Sequence, residues 1–292
     1  MSHLTVALAQ VYPKLGSLHA NLAHHLQILD DAAAQGAQLV IFPELSLTGY
    51  YLKDLVYELA QRPTADDPIF GQLLERTRQH SLDAVVGFVE EDARGRFYMA
   101  SAYISCGDVL HVHRKIYLPT YGLFDDGRFF APGETVRAFD TRFGRMGLLI
   151  CEDFWHLSLP YLLWQDGADL MIFANSSPGR GLDTNERLAS TRWVEMVNKA
   201  YGGMFANYVI QVNRVGYEDG LVFTGGSTVV DPEGDIVAQA PYFEAALLLH
   251  PLDLNQLRRT RSRLPLLRDE RPEIVLRELQ RILNAQPGAE RR

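Results

Sequence analysis

Short apolar runs bounded by turn residues recur along the chain: Leu4–Ala9, Gln38–Phe42, Ala84–Val89, Met146–Ile150, Leu170–Ala174 and Tyr208–Val212. Each is five or six residues long, and their β-branched content marks them as buried strands rather than helices. Helical patterns lie between them. From Ser17 to Gln35, Leu18, Leu22, Leu26, Leu29 and Ala33 repeat at helical spacing, with Ser17 placed to cap the start and Gly36 the end. A second helix is predicted from Asp66 or Asp67, with Pro68 in its first turn and Phe70, Leu73 and Leu74 facing inward. A third is predicted from about Thr184 to Ala200.

The middle of the chain changes character. Arg96–Ser105 and Val109–Lys115, joined by Gly107-Asp108, read as a hairpin. Further on, Ser227–Val230, Ile236–Gln239 and Ala245–Leu249 read as strands separated by turns such as the one at Asp231-Pro-Glu-Gly. Alternating α and β segments mixed with hairpins predict a large α/β sandwich. No internal repeat or low-complexity linker divides it. One domain over residues 1–280 is expected, with a frayed tail over 281–292. The run RRTRSRLPLLRDERPE reads as a solvated face followed by a helix start.

Composition narrows the class. The chain has 292 residues, 47% hydrophobic and 22% charged, with a net charge of −8, which argues against a general nucleic-acid binder. Two cysteines, Cys106 and Cys151, do not make a disulfide scaffold and fit a reducing compartment. The opening MSHLTVALAQVYP has neither a basic n-region nor a long apolar h-region, so no secretory leader is expected. No apolar run reaches the length of a membrane span. A soluble, cytoplasmic protein is expected, with no partnership to nucleic acid or membrane.

Three positions are candidates for chemistry. Cys151 ends the apolar run MGLLI and is followed at once by Glu152, Asp153, Phe154 and Trp155. A strand stopping in a sharp turn presents its last side chain as a nucleophile elbow does. Glu44 stands where the strand LVIF meets a loop, and a partly desolvated carboxylate there is placed to act as a general base. Lys115 shares one strand face with His111 and His113. An ammonium beside a thiol can hold a thiolate and stabilise an oxyanion. Taken singly, each has a plainer reading: a core cysteine, a solvated loop acid, an exposed strand-end lysine. Cys106 reads as structural. His111 and His113 lack the HExxH, CxxC or carboxylate company that would complete a metal site, and no metal is expected. GxGxxG, GxxxxGK[ST] and GxSxG are absent, and Gly225-Gly226-Ser227 is a turn before a strand.

Together the three sites resemble the nitrilase superfamily of carbon–nitrogen hydrolases, whose catalytic residues are Glu, Lys and Cys in that order. FPELSLTGY surrounds Glu44, HRKIYLPTYGLFDDGRFFAPGE surrounds Lys115, LLICEDFW surrounds Cys151, and RSRLPLLRDERPE resembles the usual closing segment. The resemblance runs from Val6 to about Glu273. It implies a four-layer α-β-β-α sandwich, commonly assembled as a homodimer or higher homo-oligomer, that needs no cofactor. It also implies a mechanism in which Glu44 takes the thiol proton, Cys151 attacks the substrate carbon, and Lys115 with a backbone N–H stabilises the oxyanion. Ammonia or an amine then leaves, and water hydrolyses the thioester.

Within the superfamily, ELSLTGY, LPTYGLFDDGRFFAPG and CEDFW are most similar to the glutamine-hydrolysing domain of glutamine-dependent NAD synthetases. That likeness implies pocket roles for Tyr50, Tyr121 and Ser177. Glu152 would receive a substrate ammonium, and Phe154 or Trp155 would form a wall. Two positions depart from the pattern. Asp126 stands where an auxiliary Glu is usual. After Asn175-Ser-Ser-Pro178, where a basic residue usually follows, Asp183 opens a capping box with Glu186; Arg180 and Arg187 are the nearby cations. The expected activity is therefore amide hydrolysis on a small molecule, with glutamine or a related amino-bearing amide as leading substrate. N-carbamoyl amines are the alternative substrates. No synthetase segment is present, so a separate ammonia-using synthetase is an expected partner, and a non-catalytic partner subunit is the alternative from another class.

Overall fold

Alternation along each strand sorts its side chains onto two faces, and those faces define the layers of the computed structural model, which describes residues 3–181 and 188–285. The first sheet contains β1 (His3–Gln10), β2 (Leu39–Ile41), β3 (Asp83–Glu91), β4 (Phe97–Ser105) and β5 (Asp108–Arg114). The second contains β6 (Phe139–Thr141), β7 (Gly144–Ile150), β8 (Leu170–Asn175) and β9 (Tyr208–Asn213). After a separate hairpin, β10 (Val215–Glu218) and β11 (Leu221–Thr224), the chain adds β12 (Thr228–Val230) and β13 (Ile236–Gln239) to the second sheet. It then returns as β14 (Ala246–Asp253) to the edge of the first. The orders are β14-β1-β2-β3-β4-β5 and β13-β12-β9-β8-β7-β6. The centres are parallel (β1, β2 and β3; β7, β8 and β9) and the flanks antiparallel.

In β1, Leu4, Val6 and Leu8 face the second sheet, where they meet Met146, Leu148, Ile172, Ile210 and Val212. Ala7 and Ala9 face the other way, toward α1 (Leu18–Ala34) and α2 (Phe70–His80). On the far side of the second sheet, Leu149, Met171, Phe173 and Val209 pack against α4 (Ser158–Gln165) and α5 (Ala189–Phe205). Helix on sheet on sheet on helix is the four-layer α-β-β-α sandwich that the resemblance implied. A short helix, α3 (Asp126–Phe129), lies between the sheets in sequence, and α6 (Asn255–Arg263), α7 (Leu266–Asp269) and α8 (Pro272–Asn284) close the described chain. Among the described residues no helix is long and apolar enough to cross a membrane.

Several local expectations need correction. Ser17 sits at the N-cap of α1 but its side chain makes no capping bond; Asn21 instead ties the helix to Lys14 and Leu47. Regular α2 begins at Phe70, three residues after Asp67, whose carboxylate accepts the Ile69 and Phe70 amides. The β4–β5 turn is centred on Cys106-Gly107, both left-handed as a type I′ turn requires. In α5, Gly202 and Gly203 do not end the helix. A Cβ at Gly202 would lie 2.6 Å from Val230 Cγ1 and 2.8 Å from the Asp231 carbonyl, so glycine lets the helix press onto β12. The predicted start of that helix at Thr184, the Asp183–Glu186 box and Arg187 lie outside the described residues, as do residues 286–292. Arg261, in the stretch read as solvated, pairs with Asp169 at 2.6 Å.

Candidate active site

Parallel strands of both sheets end on the same side of the sandwich, and the three candidate residues stand there. Glu44 follows β2 by three residues, and the next residue, Leu45, is left-handed. Its loop lies directly over β3. A Cβ at Gly87 would come within 2.4 Å of the Pro43 carbonyl and 2.5 Å of the Leu45 amide, so only glycine allows this approach. Lys115 is the first residue beyond β5, held by main-chain bonds to Met99 and Gly133, both 2.8 Å. Cys151 is the first beyond β7 and has φ +46. A left-handed cysteine costs conformational energy, and the sharp turn it makes brings the thiol to the sheet end, as the elbow reading expected. Ser176 Oγ joins the two sheets by donating to the Glu44 carbonyl at 2.9 Å.

These side chains form one buried cluster: Lys115 is 0%, Glu44 1%, Cys151 6% and Asp126 6% exposed. Lys115 Nζ donates to Glu44 Oε1 and to Asp126 Oδ2, both at 2.8 Å. Tyr50 donates its phenol proton to Asp126 Oδ1 at 2.8 Å. With aspartate at this position, the contact to Lys115 is complete despite the shorter side chain. Glu44 Oε2 has no hydrogen-bond partner, which leaves that oxygen available to the thiol. Burial raises the Glu44 pKa against the pull of Lys115. Burial also works against the Lys115 charge, but Glu44 and Asp126 outweigh it and hold its pKa well above the ordinary value. Burial and then the Glu44 carboxylate push the Cys151 thiol well up, opposed by Lys115 and the Ser176 amide. With Glu44 and Asp126 counted as carboxylates and Lys115 as ammonium, the formal charge of the three groups is minus one before the thiol ionises.

The cavity over Cys151 is narrow, about 40 Å³, and is lined by Tyr121, Phe124, Glu152, Trp155, Ser177 and Arg180 among others. That is room for about three water-sized groups, the size of a carboxamide end. Tyr121 donates to Glu152 at 3.0 Å, and the Arg180 guanidinium lies 4.9 Å over the Phe124 ring. Of the predicted pocket residues, Tyr121, Glu152, Trp155 and Ser177 share this cavity. Phe154 does not: it is fully buried, stacked on Phe173 with ring centroids 4.7 Å apart. Tyr50 does not line it either; its place is on Asp126.

Asp153 was not singled out from the sequence. It is fully buried and accepts from the Ile116 and Tyr117 amides, each at 2.9 Å, from Ile150 N–H at 3.2 Å, and from His113 Nε2 at 2.8 Å. One carboxylate thus joins the turn carrying Cys151 to the segment that follows Lys115. The only sequence signal was a second acid directly after Glu152. His111, the other histidine on that face, stacks on Phe139.

The chain matches the carbon-nitrogen hydrolase family over residues 5–262. It is 33% identical over 261 residues to a glutamine-dependent NAD(+) synthetase of Thermotoga maritima, covering 88% of this chain and 43% of the relative. The solved structure of glutamine-dependent NAD+ synthetase from Acinetobacter baumannii, in complex with ADP, superposes with a TM-score of 0.77 at 30% identity, over 87% of this chain and 46% of that one. The chain therefore spans less than half the length of these relatives. N-carbamoylputrescine amidase of Arabidopsis thaliana is 24% identical over 273 residues, covering 88% of this chain and 89% of the relative.

Proposed function

This chain belongs to the carbon-nitrogen hydrolase family, enzymes that act on C–N bonds other than peptide bonds, and on that premise we propose that it hydrolyses a small-molecule amide through a thioester on Cys151. The observation that carries the reading is the buried cluster in which Lys115 bridges Glu44 and Asp126 next to Cys151. Glu44 takes the thiol proton, so the sulfur attacks without adding charge to a site that is already negative. Lys115 faces the oxygen on which negative charge develops. Collapse of the tetrahedral adduct breaks the C–N bond, and the proton held by Glu44 leaves with ammonia. Glu44 then deprotonates a water, which attacks the thioester and restores the thiol. Asp126 holds Lys115 in place.

Glutamine is the leading substrate. The NAD synthetase relatives are named for glutamine dependence, and the cavity carries an acid, Glu152, and a cation, Arg180, suited to the two charges of an amino acid. Arg180 takes the role that Asp183 is unsuited to fill. An N-carbamoyl amine is the second reading, favoured by the amidase relative that matches over nearly its whole length. In the glutamine reading the ammonia is consumed by an ammonia-using synthetase. We place the enzyme in the cytoplasm, where its two free cysteines stay reduced. We also assign it as a homodimer, because α4 and α5 leave Leu162, Met196 and Met204 exposed on the outer layer.

The test is ammonia release from L-glutamine, with Cys151→Ala as control. Release that vanishes in the variant supports the glutaminase reading. No release from protein whose Cys151 still alkylates removes glutamine and moves the assay to N-carbamoyl amines.

A further inference from the structure

Arg214 heads the large side chains fully withdrawn from solvent, and nothing in the chemistry above uses it. It directly follows β9. Its Nη1 donates to Glu218 Oε2 at 2.6 Å, its Nη2 reaches the Pro13 carbonyl at 3.4 Å, and its guanidinium lies 4.2 Å over the Phe223 ring. Its Nε has no partner. A buried ion pair that is incompletely bonded is a poor source of stability, because desolvation offsets the attraction. What the pair holds is therefore the more informative question.

The other oxygen of Glu218 accepts the main-chain amides of Tyr50 and Tyr51, at 2.8 and 2.6 Å. These amides lie in the segment that leaves Glu44. The Tyr50 phenol bonds Asp126, Asp126 bonds Lys115, and Lys115 bonds Glu44, each at 2.8 Å. An unbroken line thus runs from Arg214 to the residues proposed for catalysis. Both carboxylates inside it, Glu218 and Asp126, use one oxygen on each side. A slack link at Glu218 would release the Tyr50 main chain, and with it the phenol that orients Asp126. Neither Arg214 nor Glu218 lines the cavity over Cys151, so neither touches substrate.

We propose that Glu218, held by Arg214, is a positioning residue that sets Lys115 through Tyr50 and Asp126. The proposal rests on the amide-hydrolase reading. The experiment is a double-mutant cycle of Glu218→Gln and Tyr50→Phe, read as kcat and KM for amide hydrolysis and, independently of substrate, as the pH profile of Cys151 alkylation by iodoacetamide. Each single variant should lower kcat roughly tenfold with KM within about twofold, as a displaced catalytic group does. The double variant should be no worse than the poorer single, because both cut one line. Arg214→Gln with Glu218→Gln, which exchanges the ion pair for two amides, should recover most of the rate. Losses that multiply in the double variant, or full kcat in a folded Glu218→Gln protein of lowered Tm, would overturn the proposal. If Glu218→Gln does not fold, Glu218→Asp, which keeps the charge but draws it back from the Tyr50 amides, takes its place in the cycle. A wild-type protein that alkylates but hydrolyses no amide removes the hydrolase reading, and the cycle on alkylation still decides whether the line is coupled.

Discussion

Replacing Asp153 by alanine removes one carboxylate and four hydrogen bonds, those to Ile116, Tyr117, Ile150 and His113. Bonds to a charged acceptor contribute about 1.5–3 kcal/mol each, and a buried donor left without a partner costs about 1–3 kcal/mol. The four share one acceptor, so their losses do not add, and water entering the gap recovers part. A net loss of about 3–5 kcal/mol follows, in the range for breaking a buried charged contact. Urea unfolding measures it directly. At a slope of roughly 3 kcal/mol per M, a 4 kcal/mol loss lowers the midpoint by about 1.3 M. Asp153→Asn, which keeps one acceptor oxygen, should fall between wild type and alanine. Alkylation of Cys151 in the folded alanine protein should also lose its wild-type pH profile, because the turn bearing the thiol is no longer tied to the Lys115 segment. A midpoint within about 0.3 M of wild type, roughly 1 kcal/mol on that slope, would refute the assignment of Asp153 as the link between the two segments.

Other outcomes follow from the same contacts. The acid limb of kcat/KM should lie above the ordinary glutamate value of 4.5, because burial raises the Glu44 pKa and the base works only as carboxylate; a rate profile measures it. His25 is buried, with its pKa lowered to about 3 from 6.5. The unfolded chain therefore binds the extra proton first, and stability is full above pH 6.5 and falls with pH by up to about 1.4 kcal/mol per unit toward pH 3. His25→Gln should remove that slope from urea titrations run at several pH values. Gly202→Ala should destabilise by about 1–3 kcal/mol through overpacking against Val230 and the Asp231 carbonyl, with kcat unchanged in the folded protein. Met196→Arg with Met204→Arg should convert the proposed homodimer to monomer in light scattering, while Cys151 still alkylates.

Much of the fold was legible because the pattern is local. The unbroken apolar runs of β1, β7 and β8 mark strands buried on both faces, and the repeat from Leu18 to Ala33 marks the inward side of α1, where Leu22 and Leu29 are buried and Leu18, Leu26 and Ala33 pack at the margin. The hairpin of β10 and β11 was missed although Asp219-Gly220 supplies the two left-handed residues of a type I′ turn. Its strands are four residues each, too short for alternation to register. The β14 strand runs on to Asp253 through Pro251, which on an edge sacrifices no ladder bond. At the site, Glu44, Lys115, Asp126 and Cys151 were found through motif order, and the structure brings them into one cluster. The roles of Asp153, Glu218 and Arg214 were hidden for one physical reason. Asp153 and Glu218 accept main-chain amides of other segments, and Arg214 is buried between its near neighbour Glu218 and the distant Pro13 carbonyl and Phe223 ring, so no side-chain pattern announces these roles. Phe154 shows the converse: one step along a tight turn moves a ring from the cavity wall to the core.

The burial of Cys151 beside the Glu44 carboxylate bears on how this thiol meets oxidants. Peroxides attack thiolates far faster than thiols, and burial together with the Glu44 carboxylate favours the thiol form of Cys151 over the thiolate. In the proposed mechanism its sulfur becomes nucleophilic only as the proton passes to Glu44 and an electrophilic carbon receives the electrons. Hydrogen peroxide that meets Cys151 as a thiol finds a poor target. If the proposed mechanism holds, the protein should keep its reactivity toward amides through an exposure to peroxide that inactivates preformed thiolates.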